Sequence, residues 1–382
     1  MANGNSFDNI SEEVLELVLG KLPTVTVLEA AQVCKSWCSV IRSRRFARYY
    51  DSLPCRRSWF FQCLVSFFSE NNQGYGYDPE SKQWHKFSSK FSLPIEQDRS
   101  ALPSSPDGAI LSIFTLTDLF YKREFLSTKW EVAPAMNYSR NAPLVAVVDG
   151  KDNSSHKVIV AGGVAFFEDD DLALEVFDSA SGAWEVCESL PREFRNNCSS
   201  HWMTSAVAGG KFLVAEMYSG QIAAFDLESK KWSRVGSLRP QGVVHSLLLS
   251  CQDSLLLAGS SYSEGNLTFK IWKVNVAAQE CGVEIASMPP AFCKNFTCSD
   301  ESWQDRKCEG LQCVASGNLL YIFSRERQQE GQIVLCDLSS GVAEWSVLPP
   351  LPAIGALNHV VGKREIHEEV SKPGIVRRRG LC

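Results

Sequence analysis

From residue 58 onward the apolar positions fall into short runs separated by polar turns. "KVIVAGG" (157–163), "KFLVAEM" (211–217), "SLLLAGS" (254–260) and "NLLYIFS" (318–324) are continuous apolar runs bounded by turn residues, the pattern of strands buried on both faces. A weaker run precedes some of them, as in "TSAVAGG" (204–210) and "GLQCVAS" (310–316). After each comes a turn with one spacing: an acidic residue, Ser three positions on, Trp three further. It occurs at Asp78–Ser81–Trp84, Glu124–Ser127–Trp130, Asp178–Ser181–Trp184 and Asp226–Ser229–Trp232. A stretched copy has Asp337 and Trp345, and a decayed one Asn275 and Cys281. The acidic side chain accepts backbone N–H groups in a tight turn, and the residues after Trp alternate, as in "WEVC", so each copy predicts a hairpin.

The markers Trp84, Trp130, Trp184, Trp232, Cys281 and Trp345 are 46, 54, 48, 49 and 64 residues apart. Four strands per unit and six units predict a six-bladed β-propeller, with each Trp filling the wedge between neighbouring blades. The turns resemble the kelch repeat, whose signature is Gly-Gly after the second strand and an aromatic pair across the third and fourth. Only the third unit has Gly-Gly there, at Gly162–Gly163; Gly209–Gly210 falls one turn earlier. Closure needs a fourth strand for the first unit, and "ALNHVVG" (356–362) is the candidate.

Residues 10–50 lack this alternation. Val14, Leu17, Val18 and Leu22 recur at helical spacing, with Ser11 as N-cap and Pro23 as stop. Thr26 and Glu29 predict a capping box for a second helix, and Trp37, Val40 and Ile41 share one face of a third. "RSRRFARYY" and "SLPCRRS" then read as the connection to the first blade. Three such helices make a marginal core. By helix pattern alone the unit is equally a cap on the propeller or a recognition surface. "EEVLELVLGKLP" and "VCKSW" resemble the F-box, with Asn9-Ile10 where that family usually has Leu-Pro.

The whole is thus identified as a member of the F-box/kelch family, mainly β, with a six-bladed kelch-like propeller after a small three-helix F-box domain. The expected divisions are a disordered 1–9, the F-box at 10–50, a linker at 51–57, the propeller at 58–361 and a polar, disordered tail at 362–382. The resemblance implies a non-catalytic substrate receptor of an SCF-type cullin–RING ubiquitin ligase, of the plant type. The F-box would bind the Skp-family adaptor through Ile10, Val14, Leu17, Val18, Leu22, Pro23, Val33, Cys34, Trp37 and Val40. Leu15 and Leu19 are further candidates for the domain's own core. The propeller would hold a protein substrate on the face opposite the Asp…Trp turns. The candidates there are Arg140, Arg195, Trp202, Tyr218, Tyr262, Trp303, Arg325 and Arg327, because aromatics and arginines dominate interfaces. A scaffold acting outside a ligase is the competing reading.

Composition narrows this further. Net charge is −6, against broad nucleic-acid binding. No run of about 18 apolar residues suggests a membrane span. The polar, acidic N-terminus lacks the features of a signal peptide, so cytoplasm or nucleus is expected. There the 14 cysteines stay reduced, and most sit in apolar runs as small hydrophobes. Cys293, Cys298, Cys308 and Cys313 are too loosely spaced for a convincing zinc site. The six histidines form no recurring ligand pair, and no nucleophile elbow or phosphate loop is present. No metal, cofactor or enzymatic function is expected.

Overall fold

The computed structural model describes residues 10–43, 45–46, 49–50, 53, 59–65, 73–86, 110–113, 120–123, 131–149, 155–164, 169–251, 254–263, 266–296, 311–324, 332–352, 369–370 and 374–376. Three helices come first: α1 (Glu12–Gly20), α2 (Thr24–Ala30) and α3 (Lys35–Ile41). The remaining secondary structure is almost wholly strand.

Among the described residues the strands form six antiparallel sheets. The first holds β1 (Trp59–Val65), β2 (Gln73–Asp78) and β3 (Gln83–Lys86). The second holds β4 (Ile110–Ile113), β5 (Phe120–Arg123) and β6 (Glu131–Ala133). The third holds β7 (Leu144–Asp149), β8 (His156–Ala161), β9 (Leu174–Asp178) and β10 (Ala183–Cys187). The fourth holds β11 (Met203–Ala208), β12 (Lys211–Glu216), β13 (Gln221–Asp226), β14 (Lys231–Trp232) and β15 (Gly236–Ser237). The fifth holds β16 (His245–Cys251), β17 (Ser254–Ser263), β18 (Asn266–Asn275) and β19 (Glu280–Ser287). The sixth holds β20 (Leu311–Ser316), β21 (Leu319–Ser324), β22 (Val334–Asp337) and β23 (Glu344–Val347). Two short strands, β24 (Glu369–Val370) and β25 (Gly374–Val376), pair with β1.

Packing explains why the second strands read as unbroken apolar runs. Along β12, Phe212 and Val214 face the third sheet, whereas Leu213 and Ala215 face the fifth. Both faces of the strand are buried, so no polar alternation is left. The fourth strands sit at the rim: β10 carries Glu185 and Val186 in the open. The first strands β7, β11, β16 and β20 lie side by side in succession. The arrangement is propeller-like, with apolar wedges between sheets. One wedge joins the first and last sheets, where Phe60 stacks on Tyr321 at 4.5 Å and Leu319, Phe323, Leu335 and Leu348 surround them.

The repeated turn is resolved in five copies. The side-chain oxygen of Asp78, Asp178, Asp226, Asn275 and Asp337 accepts the N–H two residues on, at 2.8–3.1 Å. Four positions after each, the backbone is left-handed, at Lys82, Gly182, Lys230, Gln279 and Gly341, with φ from 53° to 79°. The chain must reverse there, whatever residue it carries. The tryptophans add a second regularity. Trp84, Trp184 and Trp232 donate their indole N–H to the carbonyls of Pro349, Pro134 and Glu188, at 2.7–2.9 Å. Each acceptor stands four residues after the marker Trp of the preceding unit: Trp345, Trp130 and Trp184. For Trp84 the acceptor follows the last sheet, at the far end of the chain.

Three expectations need correction. Pro23 occupies the N-cap of α2 and Thr26 lies inside the helix, so no Thr26–Glu29 capping box forms. "RSRRFARYY" is more than a connection, because Phe46 and Tyr50, spaced four apart, enter the helical core. The strands added to β1 come from beyond residue 368, in a tail that its polarity marked as disordered; "GIV" is β-branched enough to pair. Residues 356–362, Glu124 and Trp130 lie outside the described residues.

Candidate functional site

The helical head divides its apolar residues between two sides. Leu15 and Leu19 of α1 turn inward with Val27, Ala30, Val40, Ile41, Phe46 and Tyr50. Tyr50 also donates its hydroxyl to the carbonyl of Leu22 at 2.9 Å. Glu16 is nearly buried and is paired with Arg45 at 3.2 Å. Ser11 caps α1 by accepting the N–H of Val14, and the Cys34 sulfur does the same for Trp37 at the start of α3.

The other side is open. Ile10, Val14, Leu17, Val18 and Val33 are exposed, Leu17 by 54% and Val33 by 65%, and Pro23 and Cys34 are exposed beside them. The head's core is already filled without these side chains. Exposed apolar side chains in such number on one small domain are the kind from which interaction surfaces are built.

The second surface lies at the end of the sheets where first strands begin and second strands end. There the link Pro191–Trp202 is pinned by Phe194 in the core and by Ser200 N–H on the carbonyl of Ala142 at 2.8 Å. Trp202 is 50% exposed, and its ring stands 6.0 Å from that of Tyr218. Tyr218 meets His245 edge-on at 5.3 Å. His245 is buried, which pushes its imidazole down to about 4. Tyr262, at the end of β17, is half-buried against the core between the fifth and sixth sheets. Arg195 is exposed and pairs with Asp171 at 3.5 Å.

The F-box domain family matches residues 7–49. An F-box/kelch-repeat protein of Arabidopsis thaliana is 26% identical over 372 residues, spanning 93% of this chain and 88% of that protein. F-box only protein 6 of Arabidopsis thaliana is 22% identical over 344 residues, spanning 88% and 68%. The protein UNUSUAL FLORAL ORGANS of the same plant is 21% identical over 382 residues, spanning 93% and 81%.

The chain carries an F-box domain and is similar over most of its length to F-box/kelch-repeat proteins of plants. Within its F-box, seven of the ten face candidates reach solvent freely: Ile10, Val14, Leu17, Val18, Pro23, Val33 and Cys34. Leu22 and Trp37 are half-buried against the core, and Val40 is 4% exposed. Val40 is therefore a core residue: the third helix turns it toward Leu15 and Leu19, and the candidate face loses it.

Among the kelch-region candidates, Arg140 is misplaced by sequence. It is fully buried. Its Nη1 donates to the carbonyls of Gly162 at 2.7 Å and Ala173 at 3.0 Å, and its Nη2 stands 3.6 Å from Glu175. Glu175 in turn accepts the N–H of Asn137 at 2.9 Å. Burial pushes the guanidinium down and the carboxyl up, and each charge opposes the shift of the other. Arg140 thus fastens the Gly162–Gly163 turn, where both glycines have φ near +63° and a side chain would meet backbone. It is structural, and no partner can reach it.

Arg195, Trp202, Tyr218 and Tyr262 do gather at one end of the sheets; Trp303, Arg325 and Arg327 lie outside the described residues. Cys293 and Cys313 are core residues between the fifth and sixth sheets, and burial raises both thiols. Among the described residues no cluster has the makings of a metal site, and no helix is long and apolar enough to cross a membrane. Sequence reasoning missed His245, which in "VVHSLLLS" carries no signal beyond its place at the start of an apolar run.

Proposed function

We propose that this chain is the substrate receptor of an SCF-type ubiquitin ligase in the cytoplasm or nucleus. Its F-box binds a Skp-family adaptor, and through it a cullin–RING ligase, by the face of Ile10, Val14, Leu17, Val18, Pro23, Val33 and Cys34. Its kelch region is a six-bladed propeller, closed by β24 and β25 against β1, and holds a protein substrate near Arg195, Trp202, Tyr218 and Tyr262. The chain performs no chemistry. It raises the substrate's effective concentration near a charged conjugating enzyme, whose thioester a substrate lysine attacks.

The observation that carries the reading is the exposed apolar face of a head whose core is complete without it. Burying each such side chain is worth roughly 1.5–3 kcal/mol, which only a partner can realise. The blade count is supported by the Trp84–Pro349 bond, which joins first and last sheets as Trp184 and Trp232 join their neighbours.

The test is a pull-down of a purified Skp–cullin complex by the chain, beside Leu17→Asp and Val33→Asp. Both sites are exposed, so the circular-dichroism spectrum and melting temperature should be unchanged while binding is lost. Failure of the unaltered chain to bind would leave a propeller scaffold acting outside a ligase.

A further inference from the structure

Among the described residues, most exposed large apolar side chains belong to the head or to the outer rim: Val186, Val283, Ile285, Val342 and Val347 lie on fourth strands or their turns. Trp202 and Val244 are different. They stand at the starts of β11 and β16, at the loop end and close to the first strands. Trp202 is also held firmly. Its N–H donates to Ser199 at 3.0 Å, and its carbonyl accepts the N–H of Met217 at 2.9 Å. Tyr218 beside it is fixed by the edge of His245. Two aromatic rings on a backbone tied from both sides form a platform that loses little entropy on binding.

The charge around this platform has a sign. Among described residues of the links at the loop end that are not buried, the acidic ones are Asp169, Asp170, Asp171, Glu188, Glu193 and Glu216, and the basic ones are Arg192, Arg195, Arg239 and Lys294. Arg195 is engaged by Asp171, and Arg239 donates to the carbonyl of Val243 at 3.0 Å. Glu216, one register step from Trp202, has its oxygens oriented by the Asn197 amide and the Ser219 hydroxyl. Aromatic faces backed by carboxylates attract cations and repel phosphates and acidic peptides.

Resting on the receptor reading above, we infer that the Trp202–Tyr218 platform is the substrate contact and that it takes a lysine or arginine side chain of a protein partner. The cation lies against the exposed indole face, and the surrounding carboxylates supply the longer-range attraction.

A displayed library of random short peptides, selected on the purified full chain at low salt, tests this. Lysine and arginine should be enriched. Affinity of the best peptide should fall about tenfold in Trp202→Ala, the size of one such contact. Trp202→Phe should retain most of it, and raised salt should weaken it. Enrichment of acidic or purely apolar peptides, basic peptides indifferent to Trp202→Ala, or no enrichment at all would each overturn the inference. The Skp–cullin pull-down with the same preparations separates the two claims. Basic-peptide binding without adaptor binding keeps this surface and removes the ligase, and the reverse keeps the ligase and removes this surface.

Discussion

Lys82, Lys230 and Gln279 hold the same left-handed backbone that Gly182 and Gly341 hold in the sister turns. A side chain in this region costs roughly 1–2 kcal/mol over glycine, partly offset by the entropy glycine loses on folding. Lys82→Gly should therefore raise stability by about 0.5–1 kcal/mol, read from the urea midpoint; a loss would show that the lysine has contacts which outweigh its strain. His245 gives a pH dependence. Its folded value of about 4 lies below the 6.5 of an exposed imidazole. Between those values the unfolded chain takes up a proton that the folded chain refuses. Stability is thus unaffected by this group above pH 7, declines as pH falls through 6.5, and is lower by about 3 kcal/mol near pH 4. His245→Gln should flatten that part of the stability–pH curve. Parallel curves for the two proteins would mean that His245 is not the group responsible.

At the scale of elements, the turns were legible because each is local: Asp226 and Trp232 are six residues apart, and the bonds that shape the turn lie inside "DLESKKW". The same holds for α1, where Leu15 and Leu19 fall on one side and Val14, Leu17 and Val18 on the other at the helical period. Arg140 was illegible for the opposite reason. "NYSRNAP" reads as an open loop, and only the fold brings Glu175 and the carbonyls of Gly162 and Ala173 around the guanidinium. Removing one charge of such a buried pair costs about 3–5 kcal/mol, because the other is left uncompensated. Glu175→Leu should destabilise by that amount, and Arg140→Met with Glu175→Leu by much less than the sum of the single changes. Additive losses in that double-mutant cycle would mean the two charges do not support each other. Phe46 and Tyr50 were hidden by their basic neighbours, although their spacing fits the helical period.

Across the whole molecule, the repeat of the turns could be read from the marker spacing, but the partners of β1 could not. The residues that pair with β1 are short and set in polar sequence, and their partner is some 300 positions away along the chain. The seam between first and last sheets rests on Phe60, Tyr77 and Tyr321 and on the Trp84 bond to Pro349. Trp84→Ala should cost about 2 kcal/mol, less than a full core truncation because Trp84 is only half-buried against the seam. It should raise hydrogen exchange first in β1–β3 and β20–β23; uniform change across all sheets would show that the seam is no weaker than the rest. The Trp84 bond repeats, between the chain's two ends, what Trp184 and Trp232 do within it, so the seam is distinguished by covalent connection alone. A circular permutant, cut at the open Gly209–Gly210 turn and joined by a linker from residue 382 to residue 59, should then close through the same indole–carbonyl pairs. The order in which the sheets follow one another along the chain would then matter less than the pairs that join them, and the head could be carried on any sheet.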